Sequence, residues 1–165
     1  VIDIIHNYAK TWRNLLQYDE NRLKLPSSAH KNSRMLEYDM AVSSINKLKD
    51  QLINVGEATQ LFGNEREHSL SAILSSLEQT MFSEDLYKSI EEKAANLLYF
   101  IIKDHPFSDG NKRISSFLFL VYLQINQLKL NIDSNGLTAL SLLIAESDPK
   151  QKDLLIRLVV NLLME

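Results

Sequence analysis

The chain has 165 residues, 45% of them hydrophobic, and this size and composition predict one domain with a sizeable core. Its net charge of −3 argues against a nucleic-acid partner, because contacts to the phosphate backbone normally need a basic face. The absence of cysteine excludes disulfides and thiolate metal sites and is compatible with a cytoplasmic location. No apolar run approaches the roughly 18 residues of a membrane span, so we expect no membrane partner.

Helices are predicted nearly throughout the chain, because only four glycines and three prolines interrupt it. The expected fold class is therefore all-α, a helical bundle with at most a short β-hairpin. A first amphipathic helix is predicted from the spacing of Ile2, Ile5, Tyr8, Trp12, Leu15 and Leu16. After a polar stretch over 26–33, a second helix is indicated by Val42, Ile45, Leu48, Leu52 and Ile53. A third is indicated by Leu70, Ile73, Leu74, Leu77 and Met81.

Sequence signals for helix ends place the remaining helices. Ser89 and Glu92 have the form of a capping box, which predicts the start of a long helix with the apolar face Ala94, Leu97, Leu98, Ile101 and Ile102. The next helix is expected to begin near 110–111 and to bury Phe117, Leu118, Val121, Tyr122 and Ile125. Asp148 followed by Pro149 predicts a last helix that ends near 163.

The connection between the two central helices is the most informative stretch, and it reads His105-Pro106-Phe107-Ser108-Asp109-Gly110-Asn111-Lys112-Arg113. Backbone N–H groups at a helix start lack intrahelical partners and, together with the helix macrodipole, favour an anion. Lys112 and Arg113 add two positive charges there. Gly110 allows close backbone approach, and Asn111 can donate a hydrogen bond to a phosphate oxygen. A di- or triphosphate is therefore the expected ligand.

Two further residues of this loop indicate its chemistry. A carboxylate would repel phosphate unless it held a cation, and Mg²⁺ binds carboxylates together with substrate phosphates, so Asp109 is the predicted Mg²⁺ ligand. Histidine titrates near neutral pH, so His105 can accept the proton of an attacking hydroxyl group. Phe107 is expected to anchor the loop in the core and to have no chemical role.

The loop resembles the signature of the Fic/Doc (Fido) family, His-x-Phe-x-Asp/Glu-Gly/Ala-Asn-Gly/Lys-Arg, and every specified position is filled. The likeness extends along 1–165, which resembles a single Fic domain of the RhuM-type virulence-protein branch, and the stretch 91–123 carries most of it. Because the chain begins at Val1 without an initiator methionine, we expect it to be the C-terminal part of a longer bacterial protein.

The resemblance implies an enzyme that uses ATP and Mg²⁺ to adenylylate a Ser, Thr or Tyr hydroxyl group of a target protein. His105 would be its general base and Asp109 its metal ligand, and the nucleotide phosphates would be bound by Gly110, Asn111, Lys112 and Arg113. The resemblance also implies a role in virulence or as a toxin, a cytoplasmic location or delivery to a host cell, and a separate antitoxin or inhibitory partner.

Two positions depart from many adenylyltransferases of this family. Lys112 stands where glycine is frequent, and Ser116 stands where a second arginine is frequent. Both differences resemble the Doc branch, which transfers the γ-phosphate of an inverted nucleotide. Pro106, Asp109 and Gly110 match the adenylylating form better. Adenylylation is the preferred interpretation. Doc-like phosphorylation is the alternative, and a catalytically silent nucleotide-binding interaction module is the third.

The segment 56–65, which contains Leu61, Phe62 and Gly63, lies about where Fic-like proteins carry a target-docking flap. One interpretation is a β-hairpin that pairs with an extended segment of the target. The other is an ordinary interhelical loop with Phe62 packed inward.

Overall fold

The computed structural model describes residues 2–27 and 29–164, apart from the side chains of residues 6–8 and 11. Over these residues the fold is all-α, as predicted, with one short hairpin. The α-helices are α1 Ile2–Asp19, α2 Tyr38–Asn54, α3 Ser69–Leu77, α4 Ile90–Asp104, α5 Asn111–Ile125, α6 Ser134–Glu146 and α7 Lys152–Leu163. A 3₁₀ turn, Pro149–Gln151, precedes α7, and the antiparallel strands β1 Thr80–Met81 and β2 Glu84–Asp85 lie between α3 and α4.

Helix α4 is the centre of the fold and packs against α3, α5, α6 and α7. Its predicted apolar face is buried, as are Ile114, Leu118 and Tyr122 of α5. The predicted cap is also present, because the Ser89 side chain accepts a hydrogen bond from Glu92 N at 3.0 Å. The Glu92 carboxylate reaches back to Lys88 N at 3.2 Å, which closes the first turn and fixes where α4 begins.

The first turn of α4 carries two buried charged residues, and each is paired. Glu91 accepts a hydrogen bond from His30 N at 2.9 Å and contacts His30 Nδ1 at 2.5 Å. Lys93 Nζ donates to Glu78 at 2.8 Å and to Ser33 Oγ at 2.7 Å. Since a buried charge is costly unless it is paired, these contacts hold the connection between α1 and α2 against the end of the bundle.

One prediction about the middle of the chain is wrong, and of the two interpretations of 56–65 the β-hairpin is not the one that forms. The third helix ends at Leu77, and Met81 lies in β1 with 56% of its surface exposed. The hairpin is formed by β1 and β2, and not by 56–65. Its turn places Phe82 and Ser83 at positive φ, a conformation that usually calls for glycine, asparagine or aspartate. The usual sequence signal for this hairpin was therefore missing.

Helix α1 is confirmed, but its apolar face does not pack on the body of the protein. Exposure is high at Ile2, Ile4, Ile5, Leu15 and Leu16. Of the side chains of α1 that the structure describes, the half-buried ones are instead Lys10, Asn14, Gln17 and Tyr18. They lie on the other side of the helix, and α1 contacts α7. The side chain of Tyr8, which the sequence placed on the apolar face, lies outside the described residues.

The last helix forms as predicted. Asp148 accepts a hydrogen bond from Lys150 N at 2.8 Å and so caps the 3₁₀ turn, and α7 then continues to Leu163. Over the described part of the chain, none of the helices combines the length and apolar character that crossing a membrane requires.

Candidate active site

The loop between α4 and α5 presents His105 at the surface. His105 ends α4 in a left-handed conformation, with φ 50° and ψ 59°, which is uncommon for a residue other than glycine. The turn that it makes leads directly to Pro106 and Phe107, which are both buried. The loop is therefore anchored in the core immediately after the exposed histidine, and Phe107 has the anchoring role that the sequence predicted.

Asn111 holds this loop closed through its side-chain amide. Its Oδ1 accepts a hydrogen bond from Phe107 N at 2.9 Å, and its Nδ2 donates to Phe107 O at 2.9 Å. The sequence interpretation assigned Asn111 to phosphate binding. An amide nitrogen carries two hydrogens, so one N–H remains for a ligand while the other fixes the loop.

Packing against a neighbouring ring restricts residue 110 to glycine. Its φ is +87°, and a Cβ atom at this position would lie 2.4 Å from Cε2 of Phe62. The sequence suggested that Gly110 gives a phosphate room to approach the backbone. The structure adds a different requirement, since the buried ring of Phe62 fills the space that a side chain at residue 110 would need.

The segment before α3 braces the loop from the same side. Three backbone hydrogen bonds join the two, Gly63 N to Asp109 O at 3.1 Å, Ser108 N to Asn64 O at 2.8 Å, and Arg66 N to Pro106 O at 2.7 Å. Phe62 is fully buried and Leu61 is 60% exposed. Of the two interpretations of 56–65, the structure therefore shows the interhelical loop with Phe62 packed inward.

Arg113 is held in position beside the loop by three contacts. Its Nη1 donates to Glu57 O at 2.8 Å, and its guanidinium group lies 4.7 Å from the centre of the Phe62 ring. Its Nη2 is 3.8 Å from Oδ2 of Asp109. A stacked, hydrogen-bonded guanidinium group keeps its orientation. Arg113 can therefore bind an anion such as phosphate through directed hydrogen bonds as well as through its charge.

The start of α5 has the features of an anion site. No side chain of the described residues caps it at Gly110, and the first backbone bond of the helix joins Ile114 N to Gly110 O at 2.8 Å. The preceding amides are the ones that an α-helix leaves without intrahelical acceptors. Lys112 is exposed in the same turn and adds its charge.

Asp109 is the carboxylate nearest in sequence to the start of α5, and its side chain is 47% exposed. Asp109 is the only carboxylate in 105–113, so the loop offers a metal ion one carboxylate, and the described residues contain no cluster of three or more metal-binding side chains. Mg²⁺ commonly takes one or two protein carboxylates and completes its shell with phosphate oxygens and water. The residues present therefore fit Mg²⁺ that arrives with a nucleotide.

A cavity of about 660 Å³ lies along α5 beside the loop. Its wall is mainly apolar, with contributions from Leu48, Leu52, Phe117, Leu120, Ile132, Leu137 and Leu142. Lys112, Arg113 and Lys129 also line it, so cationic and apolar groups meet in one space. Ser116 faces the cavity too, and its hydroxyl group is hydrogen-bonded to that of Ser141 at 2.8 Å.

Comparison with known protein families adds an independent finding. A family model described as the Fic/DOC family matches residues 39–123, just over half of the 165 residues. The chain belongs to the Fic/DOC family. The matched region of this Fic/DOC domain runs from α2 to α5 and includes the whole loop and the Phe62 segment. No curated protein and no solved structure matches the chain.

In this Fic/DOC domain the predicted site residues have distinct structural positions. His105 and Lys112 are exposed, Asp109 and Arg113 are neighbours, and Gly110 and Asn111 take part in the internal packing of the loop. Sequence reasoning missed the bracing contacts of Glu57 and Asn64. It named Phe62 but left its role open, because the ring meets Gly110 across 48 positions of the chain.

Proposed function

We propose that this Fic/DOC domain transfers AMP from ATP to a hydroxyl group on a side chain of a target protein. The observation that carries the proposal is the convergence, on one braced loop, of an exposed histidine, an uncapped helix start and an oriented arginine. A base beside a phosphate site is the arrangement that hydroxyl-to-phosphorus transfer requires.

The nucleotide would bind across the start of α5. Its phosphates would meet the first-turn amides, Lys112 and Arg113, and its nucleoside would enter the adjoining apolar cavity. Asp109 would hold Mg²⁺, which when bound supplies charge neutralisation for the phosphates. Asn111 acts mainly by keeping the loop closed, since its amide is bonded to Phe107 on both sides.

His105 performs the proton transfer in this proposal. It accepts the proton of the target hydroxyl group as that oxygen bonds to the α-phosphorus of ATP. The bond from the α-phosphorus to the oxygen that bridges to the β-phosphate breaks, and pyrophosphate leaves with the bonding electrons. A general base of this kind typically contributes about 10²- to 10⁴-fold to the rate.

A Doc-like phosphorylation is the second candidate, and Lys112 and Ser116 favour it. Lys112 occupies space and adds charge at the cavity, and Ser116 offers only a hydroxyl group that is already bonded to Ser141. In that reaction the hydroxyl oxygen would bond to the γ-phosphorus and ADP would leave. A silent nucleotide-binding module is less well supported, because His105 and Asp109 are both retained.

The test is to incubate the protein with Mg²⁺ and ATP labelled at either the α- or the γ-phosphate. Label is then measured on the chain itself and on proteins of a lysate. Label from the α-position alone supports adenylylation, and label from the γ-position alone supports phosphorylation. Each signal should disappear with His105→Ala and remain with His68→Ala, which removes an exposed histidine outside the loop.

Lys112→Gly separates the two reactions further. If the wild-type protein transfers the γ-phosphate and Lys112 decides which phosphorus faces His105, Lys112→Gly should gain transfer of label from the α-position. Transfer that is unchanged in His105→Ala under single-turnover conditions would overturn the proposed role of His105. Absence of label from both positions with all lysates, together with intact ATP binding, would favour the silent module.

A further inference from the structure

The proposed function does not explain the apolar face of α1. Five large aliphatic side chains among the described residues of this helix are exposed, Ile2 at 82%, Ile4 at 72%, Ile5 at 62%, Leu15 at 47% and Leu16 at 51%. Because a helix advances about 100° per residue, the five lie within an arc of about 160°. Ala9 and Trp12, which are both exposed, lie between them on the same arc, and an exposed apolar patch usually marks an interaction site. We call these five residues the α1 face.

The way in which α1 is attached to the protein leaves this face available. Among its described side chains, the half-buried ones are Lys10, Asn14, Gln17 and Tyr18, which share one side of the helix because they are spaced at i, i+4, i+7 and i+8. An amphipathic helix normally buries its apolar side. Here the more polar side is directed to the body, so the α1 face points away from it.

We propose that the α1 face binds the same face of a second copy of this chain and forms a symmetric dimer. From their exposed fractions, the five residues expose on the order of 600 Å² per copy, which approaches the about 800 Å² per partner of a standard protein interface. Residues that flank the α1 face would supply the remaining interface area. A two-fold interface uses the same patch on both copies, so a self-complementary patch is required.

The α1 face is self-complementary in an antiparallel arrangement. Its N-terminal half is composed of isoleucine and its C-terminal half of leucine, and the small, exposed Ala9 lies between them. When two α1 helices cross at Ala9 in opposite directions, each isoleucine half meets a leucine half. The short side chain at the crossing lets the helices approach closely. Antiparallel helices also align their macrodipoles favourably.

The first experiment measures the oligomeric state of the chain by light scattering after size-exclusion chromatography, from about 1 to about 100 μM. We expect a dimer that becomes a monomer in Ile5→Asp and in Leu16→Asp. Phe82→Asp is the matched control, because Phe82 is 95% exposed but lies on the turn of the β1–β2 hairpin. It should remain a dimer, and circular dichroism should show equal helix content in all variants.

Engineered cysteines test the antiparallel arrangement, and the chain is well suited to them because it has none of its own. Ala9→Cys should form a disulfide-linked dimer on mild oxidation. Ile2→Cys alone should not, whereas Ile2→Cys combined with Leu16→Cys should. Cross-linking of Ile2→Cys with itself would indicate parallel helices and overturn the proposed geometry.

Trp12 provides a further readout, because it is the only tryptophan of the chain and lies on α1 with 53% of its surface exposed. Its emission should shift to shorter wavelength as the protein concentration rises, and Ile5→Asp should remove that dependence. A wild-type monomer at about 100 μM, or a dimer that persists in both α1 variants, would overturn the proposal. Because the readouts are assembly and fluorescence, they do not depend on the transferase activity.

Discussion

The ring of Phe62 lies directly against Gly110, close enough that a single methyl group on Gly110 would be 2.4 Å from Cε2 of the ring. Phe62 is fully buried and also lies under the guanidinium group of Arg113. One side chain from outside the signature loop thus sets both the backbone at the start of α5 and the orientation of its arginine. The loop geometry depends on this contact as well as on its own sequence.

We predict that Gly110→Ala destabilises the fold and impairs transfer. The left-handed φ of +87° costs an alanine about 1 kcal/mol, and the overlap with Phe62 adds about 1 to 3 kcal/mol. Gly56→Ala is the matched control, because Gly56 has φ +77° but no atom of the described residues within 4 Å of the added Cβ. Urea unfolding should show the larger loss for Gly110→Ala.

The contact itself can be tested with a double-mutant cycle. Phe62→Leu removes ring atoms that a methyl group on residue 110 would meet, so its cost should be smaller in the Gly110→Ala background than in the wild type. If the two substitutions are additive in their free energies of unfolding, the overlap is not what makes Gly110→Ala unfavourable.

We predict that His105→Asn preserves the fold and abolishes most of the activity. Asparagine tolerates the left-handed backbone that His105 adopts, φ 50° and ψ 59°, so the turn after α4 should survive. Loss of the base should slow single-turnover transfer by about 10² to 10⁴. ATP should still raise the melting temperature of the variant as it does for the wild type. A variant that loses ATP binding and transfer together would contradict a role limited to proton transfer.

A further prediction concerns the amide of Asn111. Asn111→Ala leaves the backbone N–H and C=O groups of Phe107 without their partners, which should cost about 2 to 4 kcal/mol and weaken ATP binding by loosening the loop. Asn126→Ala is the control, because Asn126 makes the same pair of bonds to N and O of Arg34 away from the site. Calorimetric titration with ATP should show weaker binding for Asn111→Ala than for Asn126→Ala. Equal ATP affinity in both variants would argue against the loop-closing role.

The sequence predicted much of the helical framework and the residues of the loop, because both depend on local signals. Helical periodicity identified the face of α4, and the Ser89 cap identified its start. The bracing role of Phe62 could not be predicted, since nothing local indicates which distant backbone a buried ring will meet. The exposed face of α1 was also missed. An amphipathic pattern shows that a helix has an apolar side, and it does not show whether that side packs within the chain.

The last prediction concerns Tyr122, which is completely buried in α5. Its hydroxyl group has no well-formed hydrogen bond among the described residues. Burial raises the pKa of Tyr122 well above its ordinary value of 10.0, the Ser33 hydroxyl group offsets this in part, and the charges of Glu78 and Glu91 raise the pKa further. The folded protein therefore holds the phenol proton to higher pH than the unfolded chain does.

The sign of the pH dependence follows from that difference. Above about pH 10 the unfolded chain loses the Tyr122 proton first, so stability falls by up to about 1.4 kcal/mol per pH unit. Tyr122→Phe should be as stable as the wild type at pH 7 or more so, because it removes a buried hydroxyl group that lacks a good partner. It should gain relative stability above about pH 10, while the other tyrosines affect both proteins alike. Urea unfolding on both sides of that pH measures the difference, and a constant gap between the two proteins would show that Tyr122 does not contribute to alkaline unfolding.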